Sequence, residues 1–561
     1  MASRRYWLFF SLTLALAAIL PWLGSDPHTP KSIPASFDLL TLTAHDITKL
    51  LGNQTFTSLQ LTQAYLRRIE FDDRSGLGLH TMLELTPVDI TLGIARERDL
   101  ERRKGLLRSP LHGVPLIIKG NMATGNFLGM KTTSGAYALQ NATASNDAFI
   151  VEKAREAGMI VIGKANLGEL NGFKDNNLSP GWSQLGGETL SPYDLQHPCG
   201  SSAGPAAAVA AGFAPFAFGT ETQGSISCPA SFTALYGLKV STGLLSRSGI
   251  LPSSTTFDSP GILAKSAWDI AALLTQTVGN DPEDPITADS IPFIKNFTAS
   301  LDSNWKDFKI GVADRDWFWS ILPGFVGDQA DIDDEERMFS LGLEAVAEMG
   351  KRGATIVPDA KIRSAPLSTG HVPKLMGKII RHKMGPGFAK HVASLEDAGV
   401  QSLEQLVDFN RKHPELSYAE ENAAQGYLES ALHQHLSEEE YRAALSEARI
   451  IAIDEGIIEA LDKYNLDVLV LPAWTEMSIY AAWAQAPTAT VPLGTYRHGK
   501  PYGLGFVARR FDDDKLLQIM KLYEETFGPR LVPSRMRWKR WKRVVPQKYL
   551  EALAFGRSHS F

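Results

Sequence analysis

From Leu42 to Ile69 apolar residues recur at helical spacing, and Thr57-Ser58 interrupts the run with a cap between two helices. The same spacing predicts a helix from Pro87 to Gly105, charged at its end. Strand and helix then alternate. Val114 to Ile118 is a short apolar run, predicted as a buried strand. Asp147 to Ala157 reads as a helix stopped by Gly158, and Met159 to Ile162 as a strand. A helix rich in small residues, Ala206 to Phe213, leads to a strand at Phe216 to Phe218. The helix–glycine–strand order returns at Glu335 to Lys351 and Ala354 to Val357. Ser437, with Glu440 three residues on, forms a capping box that starts a long helix ending at Tyr464. Strands at Asp467 to Leu471 and Lys500 to Ala508 and a helix from Asp512 to Phe527 complete the pattern. Alternation on this scale predicts an α/β fold with a single large, mixed, twisted central β-sheet covered by helices on both faces.

The pattern divides the chain. In residues 1–25, Arg4 and Arg5 precede an apolar run from Tyr6 to Leu23, which reads as a signal peptide or signal anchor. The expectation is entry into the secretory pathway, with the protein secreted or held at a membrane by the uncleaved segment. Residues 35–530 form the main domain. Within it, 280–435 is irregular in its Pro, Gly and His sites and reads as a variable insertion or lid. Residues 531–561 are basic and aromatic, from Arg535 and Arg537 through Trp538 and Trp541 to Arg543. They read as a solvated extension packed by its tryptophans.

Composition changes this picture little. Of 561 residues, 44% are hydrophobic and 21% charged, as in ordinary globular proteins. A net charge of −6 gives no general attraction to nucleic acid. Three Asn-x-Thr sequons, at Asn53, Asn141 and Asn296, are about what chance supplies. The two cysteines, Cys199 and Cys228, are read as small buried core residues rather than a reactive or bonded pair. No Cys/His cluster has metal-ligand spacing, so neither metal nor cofactor is expected.

The densest Gly/Ser stretch carries the candidate chemistry. It holds two clusters, Cys199 to Gly204 and Gly219 to Ser225. Gly-rich turns let successive backbone N–H groups converge, as an oxyanion site requires. A serine beside such a nest needs a base, and a neutral lysine is one solution. Lys119, directly after the run Val114 to Ile118, is the candidate; by itself it also fits a strand-end lysine reaching to water.

These residues resemble the amidase-signature family, and within it the plant and fungal amidases. His112 to Lys119 is similar to the family's lysine block. Cys199 to Gly204 is similar to its Gly-Gly-Ser-Ser-Gly-Gly turn. Gly219 to Ile226 resembles Gly-Thr-Asp-Thr-Gly-Gly-Ser-Ile, and Tyr236 to Lys239 with Gly243 to Pro252 the downstream half. The resemblance implies an amidase acting on a small-molecule amide through a seryl acyl-enzyme. Ser225 would be the nucleophile, Ser201 the bridging serine on a cis peptide bond after Gly200, and Lys119 the base. The N–H groups of Thr222, Gln223, Gly224 and Ser225 would line the oxyanion hole. The pocket is expected from residues 120–135, 170–195 and the irregular middle.

The chain departs from the family pattern at Gly120 (usually Asp), at Gln223 (usually Gly) and at Ser227 (often Arg). Three rival readings accompany the resemblance. Gly200 to Gly204 also fits Gly-x-Ser-x-Gly, an α/β-hydrolase elbow with Ser202 as nucleophile. An inactive or amide-forming relative is the second. The transamidating component of a tRNA-dependent amidotransferase is the third.

Overall fold

The computed structural model describes residues 37–320, 329–419 and 424–536. The signal or anchor segment at 1–25 lies outside the described residues, as does the basic extension beyond Met536.

Eleven strands form one mixed sheet. Across it they run Met82–Leu85, Ile160–Ala165, Pro115–Lys119, Phe216–Glu221, Ser259–Ala264, Tyr236–Lys239, Thr488–Thr495, Pro501–Val507, Val468–Pro472, Lys309–Ala313 and Thr355–Ala360. Pairing is parallel around Pro115–Lys119. It is antiparallel from Phe216–Glu221 through Val468–Pro472, and parallel again at the far edge. Successive side chains on a strand face opposite sides. Every residue of Pro115–Lys119, Ile160–Ala165 and Phe216–Glu221 is buried, so both faces of the sheet are covered there.

The N-terminal helices, Ala44–Gly52 and Ser58–Asp72, each begin with a capping box, Thr43 with Asp46 and Thr57 with Gln60. Capping boxes are local, and the Thr57 cap falls where the sequence pattern puts it. The helix expected from Ser437 to Tyr464 starts on its predicted box but is interrupted. It runs Glu438–Arg449, widens to a π turn over Ile450–Asp454, and resumes as Ile457–Lys463. Carbonyls at the interruption take outside donors: Ser364 Oγ to Ile451 O at 2.7 Å, Ser364 N to Glu455 O at 2.9 Å, and Arg363 to Asp454 O at 2.6 Å. A distant segment therefore sets the break, and no local pattern could predict it.

The segment 280–435 is more regular than its sequence suggests. Lys309–Ala313 and Thr355–Ala360 complete the edge of the main sheet, bracketing the long helix Gln329–Lys351. Three further helices follow, His371–Val392, Leu403–Lys412 and Gly426–His433. Asn53, Asn141 and Asn296 are all exposed.

Ile117 is fully buried and pairs with both neighbouring strands. Ile117→Ala is expected to lower the unfolding free energy by about 2–4 kcal/mol, as read by equilibrium urea denaturation.

Candidate active site

The strands Pro115–Lys119 and Phe216–Glu221 are parallel neighbours, so their C-terminal ends bring Lys119 and Thr220 together. Crevices at the carboxyl ends of parallel strands are where open α/β sheets bind ligands. Lys119 Nζ lies 2.8 Å from Ser201 Oγ, 2.9 Å from Thr220 Oγ1 and 3.4 Å from Thr220 O. It forms no ion pair with a carboxylate among the described residues. Burial pulls the Lys119 ammonium down to about 7, against the opposing pull of Asp258 and Glu221.

Burial by itself does not single out this lysine. Lys164 is brought to about 7 and Lys239 to about 8, and Lys265 falls well below its ordinary range, all through burial. Lys239 and Lys265 donate to carbonyls, Ala486 O, and Leu39 O with Leu42 O, and Lys164 donates to Lys131 O and to the Thr132 hydroxyl. Lys119 differs in facing a serine hydroxyl on the wall of a cavity.

Ser201 follows the cis peptide bond Gly200–Ser201 and precedes the buried helix Ala203–Ala210. Ser201, Gln223 and Ser225 all line a cavity of about 510 Å³. The two serine turns are tied directly, Ser202 N donating to Ser225 O at 3.2 Å. Ser202 itself is fully buried and does not line this cavity. Its hydroxyl donates to Thr220 O and accepts from Thr220 N. Among the described residues, no strand of the main sheet leads into it. The elbow reading of Ser202 therefore fails on both exposure and context.

The loop after Glu221 wraps around that residue's carboxylate. Ile226 N and Ser227 N donate to it at 2.7 and 2.9 Å, and Ser227 Oγ lies 3.1 Å away. Where the resembled block has Asp and a later Arg, this chain has Glu221 and Ser227, whose side chains meet. Gly224 has φ +74°, and a Cβ there would lie 3.0 Å from the Trp474 ring. Backbone conformation and crowding both call for glycine. Gln223 Oε1 is buried with no partner among the described residues. Thr222 Oγ1 donates to Asp258 at 2.5 Å, and the Asp258 carboxylate also accepts from Ser253 N and Ser254 N. Burial raises the Asp258 carboxyl.

Two partners of this site had no sequence signal. Asn121 donates to Thr220 Oγ1 at 3.1 Å and to Asn171 Oδ1 at 2.9 Å, and Asn171 donates to Leu251 O. Asn171 and Leu170 both have positive φ, 63° and 52°. Asparagine tolerates such backbone, but it is uncommon for leucine, and outliers of that kind collect at functional sites. The expected lining by residues 170–195 is present from Asn171 to Trp182. Residues 120–135 do not line the cavity. The irregular middle contributes Pro373, Gly377, Ile380, Arg381 and Tyr427, as expected, and Trp474 joins the wall from outside the expected segments. A second cavity of about 780 Å³ meets the other side of this wall, sharing Asn171 and reaching Thr220 and Thr222.

The reading of Cys199 and Cys228 as unpaired is corrected. Both are buried, but they form a disulfide, with Cα atoms 5.9 Å apart. The bond joins the residue before Gly200 to the helix Ser227–Phe232, which follows Ser225. Twenty-nine residues separate the cysteines in sequence, so only the fold brings them to bonding distance.

A family model described as Amidase matches residues 60–517. Among solved structures, the peptide amidase of Stenotrophomonas maltophilia is 35% identical, with a TM-score of 0.78 over 89% of this chain and 98% of its own. A protein of Arthroderma benhamiae whose name assigns it to the amidases is 31% identical over 83% of this chain and 78% of its own. A glutamyl-tRNA(Gln) amidotransferase chain of Thermoanaerobacter pseudethanolicus is 28% identical over 87% and 97%.

With both cysteines in one bond, thiol titration of the native protein should find no free thiol. Replacing both by serine is expected to lower stability by roughly 3–4 kcal/mol, from the loop the bond closes. Activity should fall as well, because the bond fixes one serine turn against the other. Thermal unfolding together with turnover measurements checks both.

Proposed function

The chain belongs to the amidase family, and from that premise we propose that it hydrolyses linear carboxylic amides through an acyl-enzyme on Ser225. The observation that carries the reading is the 2.8 Å contact between Ser201 and a buried Lys119 whose ammonium is brought down to about 7, on the cavity that Ser225 also lines. Neutral Lys119 has two N–H groups and one lone pair. The Thr220 hydroxyl and carbonyl take the N–H groups, which leaves the lone pair for the Ser201 proton.

The reaction then proceeds as a relay. Ser201 gives its proton to Lys119 Nζ and takes the proton of Ser225, whose oxygen attacks the amide carbon. The N–H groups of Thr222, Gln223, Gly224 and Ser225 hold the resulting oxyanion. As the C–N bond breaks, the proton returns through the relay to the leaving nitrogen. Water, deprotonated by the same relay, then cleaves the ester and releases the carboxylic acid. The likeness to a peptide amidase supports the C-terminal carboxamide of peptides as a substrate class and favours hydrolysis over transamidation.

We also propose that the protein matures in the secretory pathway. The basic-then-apolar start of the chain supports this, as does a buried disulfide that takes up both of its cysteines.

Ser225→Ala is expected to abolish labelling by a fluorophosphonate probe and release of ammonia from peptide amides. Persistent labelling of that variant sinks the assignment. Lys119→Ala should lower kcat/KM by at least about a thousandfold. A base works only when unprotonated, and the neutral fraction of Lys119 grows as pH rises through about 7. Wild-type kcat/KM should therefore climb about tenfold per pH unit below that value and level off above it. A profile flat from pH 5 to 9 contradicts Lys119 as the base.

A further inference from the structure

The cavity beside Ser225 carries four charged side chains besides the triad, and three of them have their needs met within the protein. Glu169 and Lys174 form a buried ion pair at 2.7 Å, and Glu169 also accepts from Gln184 N. Asp175 accepts from Asn177 N at 2.9 Å and from Gly426 N at 2.7 Å. The fourth is Arg381, on the helix His371–Val392. It forms no ion pair among the described residues, and its Nε is buried with no acceptor there. Its guanidinium lies over the Tyr427 ring, 5.4 Å from the centroid, and its charge also acts on the neutral Tyr427 hydroxyl, which supplies no counter-ion.

This group is positioned as well as unpaired. Gly377 sits one turn earlier on the same helix face. A Cβ at Gly377 would come within 2.9 Å of Arg381 Nη1, so glycine leaves the room the guanidinium occupies. Arginine keeps its charge at any working pH. Held in a partly desolvated cavity over an aromatic face, a planar donor fork is matched by a carboxylate. A phosphate dianion would call for a second cation, and Lys174 is committed to Glu169 and to Ser417 O.

We propose that Arg381 anchors a carboxylate of the substrate, so that the enzyme prefers amides of acidic acyl chains, peptide amides with a glutamate or aspartate near the scissile amide among them. The assignment rests on the reading of this cavity as the amide site. Arg381 is then a specificity-determining residue of that site.

The test uses N-acetylated tripeptide amides carrying glutamate or glutamine at one position at a time. Turnover is measured with the full-length wild-type protein, and binding to Ser225→Ala is measured by calorimetry. At one position glutamate should exceed glutamine by about ten- to hundredfold in both kcat/KM and affinity. Arg381→Gln should bring that ratio to about one, and Arg381→Lys should retain part of it. Gly377→Ala keeps the charge and favours the helix but crowds the guanidinium, so it should reduce the ratio in a well-folded protein. Equal binding of the two series by Ser225→Ala overturns the assignment, as does absence of binding by either. A glutamate preference that survives Arg381→Gln overturns it too. Because binding is read without turnover, lost hydrolysis with the preference intact counts against the amidase chemistry and not against Arg381.

Discussion

Lys119 ends a strand with no solvent on either face, and its ammonium meets hydroxyl and carbonyl oxygens rather than a carboxylate. An ammonium so placed loses hydration without gaining a counter-ion, which favours the neutral amine. The parallel strand beside it supplies Thr220, whose hydroxyl and carbonyl both accept from Lys119 Nζ. In the proposed mechanism that leaves the lone pair of the neutral amine for Ser201. Lys164, Lys239 and Lys265 show that lysines are buried elsewhere along this sheet, satisfied by carbonyls and, for Lys164, by the Thr132 hydroxyl as well, none of them beside the cavity serines. Burial shifts all four lysines, and the neighbouring serine is what makes Lys119 the proposed base.

The two serines come from turns on either side of a helix and a strand, and several independent ties hold these turns together. Ser202 reaches the second turn through its backbone N–H and the neighbouring strand through its hydroxyl. The Glu221 carboxylate gathers the N–H groups that follow Ser225. The disulfide Cys199–Cys228 closes the arrangement from outside. The proposed relay across these hydroxyls would depend on such placement, because a small displacement of reacting atoms costs much of the rate.

The chemistry and the cavity come from different parts of the chain. Lys119, Ser201 and Ser225 sit where the first parallel strands end. Much of the cavity wall arrives from the later helices His371–Val392 and Gly426–His433, and from Trp474 after the strand Val468–Pro472. A segment with little recognisable pattern thus sets what the site admits, and it brings the Arg381 charge to that wall without a counter-ion among the described residues.

Several features were legible in the sequence because their causes are local. Apolar runs flanked by glycine specified Pro115–Lys119 and Ile160–Ala165. Thr57 and Ser437 specified helix starts, since a capping box spans four residues. The spacing of glycine and serine from Cys199 to Ser225 marked the candidate site, since a nest is made by consecutive residues. Other features required the fold. The break after Arg449 is fixed by Arg363 and Ser364, far away in the chain. Asn121 meets Asn171, Asp258 meets Thr222, and Cys199 meets Cys228 only after the strands have paired. Sequence by itself determined the α/β alternation, the family resemblance and the candidate residues for acyl transfer, all carried by short-range pattern. Tertiary structure decided which buried lysine stands beside a serine, which serine is sealed from the cavity, and which arginine is left without a carboxylate partner among the described residues. Those depend on burial and on neighbours distant in sequence, and neither exists until the sheet is assembled.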